Sequence, residues 1–173
     1  KFHPAGDGSV LTACVNSPGP WPETATDNIW QRWPTMDAEQ PHIIEFKRIT
    51  DSRGDIAVVS PDDGCPFAIR RVFWIFDIPA DAVRGGHAHY GTTQLIVAAA
   101  GHFEVEVSDG MTSRIFSLEH PGEGLLLPPG YWRSLKGFSA GCVCLTLCDT
   151  DFEEADYMRD YDSFLRFKGI GEK

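Results

Sequence analysis

The stretch Arg84-Gly85-Gly86-His87-Ala88-His89 is the most informative part of this chain, because it joins two glycines to a pair of alternating histidines. Successive side chains of a β-strand point to opposite faces, so His87 and His89 are expected to lie on the same face. The glycines leave room for a ligand to approach the backbone. The stretch therefore predicts a strand that presents two imidazoles to one cavity.

Short strands separated by turns are predicted from residue 42 onwards. Turn residues such as Asp109-Gly110 separate the strands and are typical of hairpins. Many short strands at this spacing favour an all-β sandwich or barrel, and no alternation of strands with helices suggests a parallel sheet. The predicted strands are 43–49, 55–60, 69–76, 94–100, 102–108, 113–118, 124–127 and 140–147.

The two ends of the chain differ from this pattern. Residues 1–41 are rich in Pro, Gly, Ser and Thr and contain three tryptophans, so we expect an extension that packs on the body or a partner subunit, or covers the site. Residues 42–173 are predicted to form one domain. Near its end, Asp151 is expected to cap a short helix with two glutamates in the first turn. Residues at helical spacing predict its packing face: Tyr157, Tyr161, Phe164 and Leu165.

Composition excludes several classes of partner. The chain has 173 residues, 42% of them hydrophobic, which suits one domain with a sizeable core. Its formal net charge of -10 disfavours sequence-independent binding to nucleic acid or an anionic membrane, although a few arginines can still bind a small anion. No apolar run approaches the roughly 20 residues of a membrane-spanning helix. We therefore expect neither nucleic acid nor a membrane as a partner.

The five cysteines are odd in number and irregular in spacing, which is a poor basis for disulfides. Cys142, Cys144 and Cys148 lie in an apolar run, where buried reduced thiols are the expected interpretation. A cytoplasmic location is therefore predicted.

Two imidazoles on one face suit either proton transfer or metal binding. Neutral imidazole titrates near physiological pH, so one histidine can accept a proton while the other donates one. Metal-binding barrels with such a pair add a glutamate and a third histidine, but Gln94 and Arg133 stand at those positions. Gln94 offers only an amide oxygen, and a protonated guanidinium repels a divalent cation. The pattern favours proton transfer without a metal or other cofactor.

Arginine and aromatic residues near the pair are candidates for binding a substrate. Arginine recognises phosphate or carboxylate through paired hydrogen bonds, and aromatic rings stack on a base or a sugar. An ordinary salt bridge is an equal alternative for each arginine, as is core packing for Trp132. The candidate substrate-binding residues are Arg71, Arg84, Tyr90, Gln94, Trp132 and Arg133.

Several motifs recur in an order that is similar to a known family. Their combination, over about residues 43–167, resembles the dTDP-sugar 3,4-ketoisomerases of the WxcM-like cupin family. The motifs are Phe67-Ala-Ile-Arg-Arg-Val-Phe73, Arg84-Gly-Gly-His-Ala-His89, Ser108-Asp-Gly110, Gly124-Leu125, Pro129, Trp132 and Asp156-Tyr-Met-Arg-Asp-Tyr-Asp-Ser-Phe164.

This resemblance implies a homodimeric cupin, a small jelly-roll β-barrel, which holds no metal. It implies a dTDP-4-keto-6-deoxyhexose as substrate, whose carbonyl moves from C4 to C3 through an enediol. His87 and His89 would be the acid and base. A further donor must stabilise the enediolate oxygen, and we expect Arg84 to supply it.

Two alternatives remain at this point. The chain could be a non-catalytic cupin that binds a sugar nucleotide or a similar anion, or, less favoured, a metal-dependent oxygenase. The hexose, the configuration of the product at C4 and the identity of the base stay open.

Overall fold

The structure, a computed structural model, describes residues 40–61 and 63–171. Twelve strands and one short helix, α1, make up most of this part of the chain. The strands are β1 His42–Glu45, β2 Lys47–Asp51, β3 Gly54–Val58, β4 Arg71–Ile75, β5 Arg84–His89, β6 Gln94–Ala100, β7 Phe103–Ser108, β8 Ser113–Leu118, β9 Glu123–Leu127, β10 Trp132–Lys136, β11 Val143–Cys148 and β12 Tyr157–Met158, and α1 is Tyr161–Phe167.

Two five-stranded sheets are built from these strands, in the orders β1-β9-β6-β11-β4 and β12-β5-β10-β7-β8. All the ladders are antiparallel, and strands distant in sequence lie side by side, as in a two-sheet jelly roll. Strands β2 and β3 form a separate hairpin. The predicted all-β class with a short C-terminal helix is confirmed.

Alternating apolar residues fill the space inside the barrel. In β7, Phe103, Val105 and Val107 are buried, whereas the glutamates between them are partly exposed. The same core holds Cys142 and Cys144, which are free and buried, as is Cys148, in agreement with the prediction for these three. Cys65 is also free and buried. Close packing of these side chains holds the two sheets at a fixed separation, which positions the polar groups at one end of the barrel.

The predicted strand 43–49 is two strands, which corrects the sequence-based prediction. Phe46 separates β1, which pairs with β9, from β2, which pairs with β3. Its backbone N–H donates to the carbonyl of Gly122 at 2.8 Å, and its ring is buried in a cluster with Leu95 and Val97. Burying this ring turns the chain out of the first sheet before the hairpin begins.

The C-terminal helix begins later than predicted. Asp160 caps it, because its carboxylate accepts a hydrogen bond from the backbone N–H of Ser163 at 2.8 Å. The carboxylate of Asp151 instead pairs with Arg70 at 2.7 Å. Tyr157 lies in β12 rather than on the helix, since it pairs with His89 of β5. Only one turn of 3-10 helix, Glu154–Asp156, precedes this strand.

Most of the predicted extension, residues 1–39, lies outside the described residues, so its packing role stays a prediction. Among the residues that are described, no helix is long and apolar enough to cross a membrane. The cytoplasmic location also stays a prediction.

Candidate active site

Two glycines of β5 bring the histidine strand unusually close to β10. The register shifts between Arg133, which pairs with His87, and Ser134, which pairs with Gly85, so Gly86 is the extra residue of a β-bulge. Gly85 and Gly86 have φ values of 84° and 67°. A Cβ on Gly85 would lie 2.9 Å from the carbonyl oxygen of Arg133. Glycine is therefore required here, and the bulge sets Arg133 beside His87.

His89 is buried and held by a carboxylate. Its Nδ1 lies 2.8 Å from Oδ2 of Asp156, in the segment that leads into β12. The same oxygen accepts a hydrogen bond from the hydroxyl of Thr92 at 2.6 Å, and Oδ1 accepts one from the backbone N–H of Gly91 at 2.6 Å. The ring of Tyr157 packs against His89, with 4.3 Å between the centroids. These contacts fix the orientation of the imidazole.

His87 lies beside His89 on the same face of the strand, as predicted. The ring centroids are 5.2 Å apart and nearly perpendicular, and the Tyr157 ring lies 5.0 Å from His87. Both nitrogens of His87 are buried, and neither forms a hydrogen bond of standard geometry within the described part of the chain, although the backbone of Gly85 lies close enough to raise the pKa of this ring. A buried polar atom without a partner is uncommon in a folded protein and points to a ligand that would supply one.

Arg133 is a buried cation beside this pair. Only 5% of the residue is exposed, and its Nε and Nη1 have no hydrogen-bond partner among residues 40–61 and 63–171. Burial lowers its pKa to about 10, so the guanidinium stays protonated at neutral pH. A buried charge without a counter-ion is unfavourable, and an anionic oxygen of a ligand would relieve it.

The facing sheet supplies the opposite wall of the site. Arg71, Cys148 and Gln94 are in register across β4, β11 and β6. The Nε2 of Gln94 lies 3.4 Å from the Nε2 of His89 and donates to the sulfur of Cys148 at 3.6 Å, and Nη2 of Arg71 donates to the same sulfur at 3.4 Å. Oε1 of Gln94 and Nε of Arg71 have no hydrogen-bond partner in the described ranges of the chain.

The two imidazoles are neutral at neutral pH. Burial and then the charge of Arg133 lower the pKa of His87 to about 3 and that of His89 to about 4. Asp156 opposes the shift at His89 by hydrogen bonding and charge. Burial would raise the pKa of Asp156, but hydrogen bonds from Thr92, Gly91 and His89 lower it on balance, so this carboxylate is ionised. The site thus combines lone pairs on nitrogen with a buried positive charge.

The structure brings together five of the predicted site residues: His87, His89, Gln94, Arg133 and Arg71. The other three point elsewhere.

Arg84 is exposed at the opposite end of β5, and its pairing residue is Leu135. The half-exposed ring of Tyr90 packs edge-on against Phe167 at 5.2 Å.

Trp132 serves packing rather than the site. It precedes Arg133 on β10, and adjacent side chains of a strand face opposite ways. Its ring lies 5.0 Å from Tyr161 and 5.7 Å from Phe164, which attaches α1 to the sheet.

Sequence reasoning missed Asp156, Tyr157 and Cys148 as members of the site. Asp156 is 67 positions from His89, and no local spacing links the two. The only signal was that Asp156 and Tyr157 belong to one of the recurring motifs. Cys148 was interpreted as a buried thiol, which it is, but its sulfur also contacts Arg71 and Gln94.

The residues present do not form an evident metal centre. Within 40–61 and 63–171, no three His, Cys, Asp or Glu side chains are grouped so that they could hold a metal ion. Gln94 and Arg133 occupy the places beside the histidines, as predicted from the sequence.

Comparison with known proteins decides the family. The model of the FdtA family, described as WxcM-like, C-terminal, matches residues 39–169. The chain belongs to the FdtA family. One relative of this FdtA-family chain is the TDP-4-oxo-6-deoxy-alpha-D-glucose-3,4-oxoisomerase of Aneurinibacillus thermoaerophilus, which is 36% identical over 72% of this chain and 90% of its own length.

Solved structures of two 3,4-ketoisomerases have a similar fold. A 3,4-ketoisomerase from Helicobacter canadensis is 32% identical with a TM-score of 0.72, over 75% of this chain and 97% of that chain. A mutant of the 3,4-ketoisomerase QdtA from Thermoanaerobacterium thermosaccharolyticum, in complex with TDP-4-keto-6-deoxyglucose, is 30% identical with a TM-score of 0.72, over 74% and 93%. The predicted family, its cupin-like fold and the isomerase class are confirmed.

Proposed function

We propose that this FdtA-family protein moves the carbonyl of a dTDP-4-keto-6-deoxyhexose from C4 to C3 through an enediol. The observation behind this proposal is a pair of neutral imidazoles beside a buried guanidinium that forms no salt bridge with any residue of 40–61 or 63–171 and has two nitrogens without hydrogen bonds. The names of the relatives support the substrate class, since one is a TDP-4-oxo-6-deoxyglucose isomerase and another was solved with TDP-4-keto-6-deoxyglucose.

The reaction moves two protons and no electrons leave the sugar. One proton passes from carbon C3 to carbon C4, and the other passes from the oxygen on C3 to the oxygen on C4. Two acid–base groups are therefore sufficient, and each contributes about 10²- to 10⁴-fold to rate in typical enzymes. His87 and His89 provide two such groups on one face.

We assign the carbon-bound proton to His87 and the oxygen-bound proton to His89. Neither nitrogen of His87 forms a hydrogen bond of standard geometry with the residues that the structure describes, whereas His89 is more buried and has one nitrogen bonded to Asp156. When His87 removes the C3 proton, negative charge develops on the oxygen at C4. The positive charge of Arg133 lowers the pKa of His87. Negative charge on the enediolate oxygen would offset that effect, so the imidazole becomes a stronger base as the enediolate forms.

Arg133 replaces Arg84 in our proposal as the donor that stabilises the enediolate. A preorganised donor in a water-excluded site is worth more than an exposed one, and Arg133 is buried whereas Arg84 is exposed. Arg71, with its Nε unpartnered, is placed to donate to another oxygen of the sugar nucleotide. Gln94 orients His89 and offers Oε1 to a sugar hydroxyl.

Incubation with dTDP-4-keto-6-deoxyglucose in D₂O tests the proposal. We expect a 3-keto product that carries deuterium at C4, seen by proton NMR. Tight binding of dTDP without turnover or exchange, at enzyme concentrations close to that of the substrate, would instead identify a non-catalytic sugar-nucleotide cupin.

We also infer that the protein is a homodimer whose contact includes the edge strand β4. Val72, Trp74 and Phe76 alternate on its outer face and are 48%, 59% and 58% exposed. A monomer rarely exposes such a row of large apolar side chains, and a second copy is the occupant that family resemblance favours. Sedimentation should give a dimer for the wild type and a monomer for Trp74→Asp with Phe76→Asp. A monomeric wild type would contradict the inference.

A further inference from the structure

Asp156 makes more contacts than a carboxylate that only lies near a histidine. Its Oδ2 accepts hydrogen bonds from Nδ1 of His89 at 2.8 Å and from the hydroxyl of Thr92 at 2.6 Å. Its Oδ1 accepts one from the backbone N–H of Gly91 at 2.6 Å, and the Thr92 hydroxyl also contacts that of Thr150 at 2.6 Å. Both oxygens are occupied, so the carboxylate has one favoured orientation.

These contacts determine which nitrogen of His89 holds the proton. An ionised carboxylate only accepts hydrogen bonds, so Nδ1 of His89 must be the donor. Nε2 then has a free lone pair in the neutral ring. The side-chain amide of Gln94, 3.4 Å from Nε2, is compatible with this tautomer because its N–H groups can point at the lone pair.

We propose that Asp156 is a positioning residue of the reaction, which holds His89 as the Nδ1-protonated tautomer and stabilises its imidazolium. The inference rests on the function proposed above. In this role Nε2 of His89 takes the proton from the hydroxyl at C3 and the imidazolium pairs with Asp156. The same proton then passes from Nε2 to the oxygen at C4, so the histidine ends as it began.

The surroundings of His89 show why a carboxylate is needed at this place. Positive charge reaches it from Arg133 on β10 and from Arg71 on β4, and both lower its pKa. His87 on β5 and Tyr157 on β12 lie against its ring without offsetting that charge. Asp156 acts in the opposite direction and raises the pKa of His89. Without it, two guanidinium groups would oppose every protonation of this imidazole.

NMR of ¹⁵N-histidine-labelled protein, free of substrate, tests the tautomer directly. In the wild type we expect His89 to be neutral at pH 7 with its proton on Nδ1. In Asp156→Asn the amide can donate to Nδ1, so the proton should move to Nε2 and the pKa of His89 should fall below the wild-type value. The matched control is Asp151→Asn, which removes an exposed carboxylate paired with Arg70 and should change neither.

Kinetics then separates positioning from general loss of structure. Asp156→Asn should lower kcat by about 10²-fold, with KM changed by less than about threefold. Thr92→Val keeps the carboxylate but removes one of its hydrogen bonds, and should lower kcat by roughly threefold to tenfold. If Asp156→Asn does not fold, the wild-type tautomer and Thr92→Val decide the question.

Failure of this inference differs from failure of the proposed function. A wild-type His89 protonated on Nε2, or an Asp156→Asn variant with wild-type kcat, overturns the role of Asp156 while ketoisomerase activity stands. A wild type that leaves the keto sugar unchanged overturns the proposed function, whereas the predicted tautomer switch would still show that Asp156 positions His89.

Discussion

Arg133 lies directly across from His87 on the neighbouring strand, and two nitrogens of its buried guanidinium form no hydrogen bond with the residues described by the structure. This cation lowers the pKa of the base that it accompanies. Placing a buried guanidinium beside an imidazole is unfavourable in the substrate-free protein. It becomes favourable when negative charge develops between the two groups. In the proposed mechanism, this relationship would favour the enediolate over the bound ketone, as catalysis requires.

Removal of the Arg133 guanidinium should lower activity without lowering stability. We expect Arg133→Met to lower kcat by about 10²- to 10³-fold, as for loss of a donor to an oxyanion. The free energy of unfolding should stay the same or rise by about 1 kcal/mol, because an apolar side chain replaces a buried charge without a partner. Urea unfolding and steady-state kinetics measure both. The control is Arg70→Met, at an exposed ion pair, which should leave kcat unchanged. A large loss of stability in Arg133→Met would contradict the idea that the buried charge serves activity and not folding.

The two histidines should fail in different ways when each is replaced by asparagine. His87→Asn should abolish deuterium incorporation at carbon, because no base remains to remove the C3 proton. His89→Asn should keep slow exchange at C3 but lose the 3-keto product, since the proton between the oxygens is no longer moved. NMR of the sugar in D₂O distinguishes the two, and His102→Asn, at an exposed histidine, is the matched control. Identical behaviour of both variants would refute the assignment.

Stability should fall as the pH falls below 6.5. Unfolded histidine titrates near pH 6.5, whereas in the folded protein the pKa of His87 is about 3 and that of His89 about 4. Between pH 6.5 and 4 the unfolded chain binds more protons, so the free energy of unfolding decreases by up to about 1.4 kcal/mol per pH unit for each histidine. Above pH 6.5 this contribution is fully present. Denaturation at several pH values should show a smaller slope for His87→Gln than for the wild type.

Two substitutions should convert the site into a metal centre. Gln94→Glu with Arg133→His would add a carboxylate and an imidazole to the existing pair and remove the repelling charge. Asp156 already bonds Nδ1 of His89, as carboxylates do behind metal-binding histidines. We expect about one Zn²⁺ or Ni²⁺ per chain after dialysis, measured by elemental analysis. Each single variant should bind far less, and a metal-free double variant would show that the four side chains do not converge.

Local patterns predicted the fold well because both the alternation of apolar and polar residues along a strand and the residues of a turn are local features of the sequence. The limits of β6, Gln94–Ala100, follow directly from an apolar run bounded by polar and glycine residues. The spacing of Tyr157 and Tyr161 misled the prediction of a helix, since a two-residue strand has no period of its own. Its partner His89 could not be inferred locally.

The sequence also could not predict which of Arg84 and Arg133 lies in the site. Arg84 and Arg133 have the same chemistry, and only the register between β5 and β10 decides that one is exposed and the other buried. The bulge at Gly86 sets that register, and a bulge cannot be located from periodicity. The glycines beside the histidines predict room for a ligand, whereas Gly85 makes room for the backbone of β10 at Arg133.

The short strand β12 also has a consequence for how the enzyme comes into being. The histidines are synthesised long before Asp156 and Tyr157, the residues that orient them. A growing chain that ends before Asp156 would hold both imidazoles without the carboxylate that orients His89. In the proposed mechanism, full activity requires this late segment to dock on β5, so enzymatic activity would report completion of the barrel rather than formation of its core.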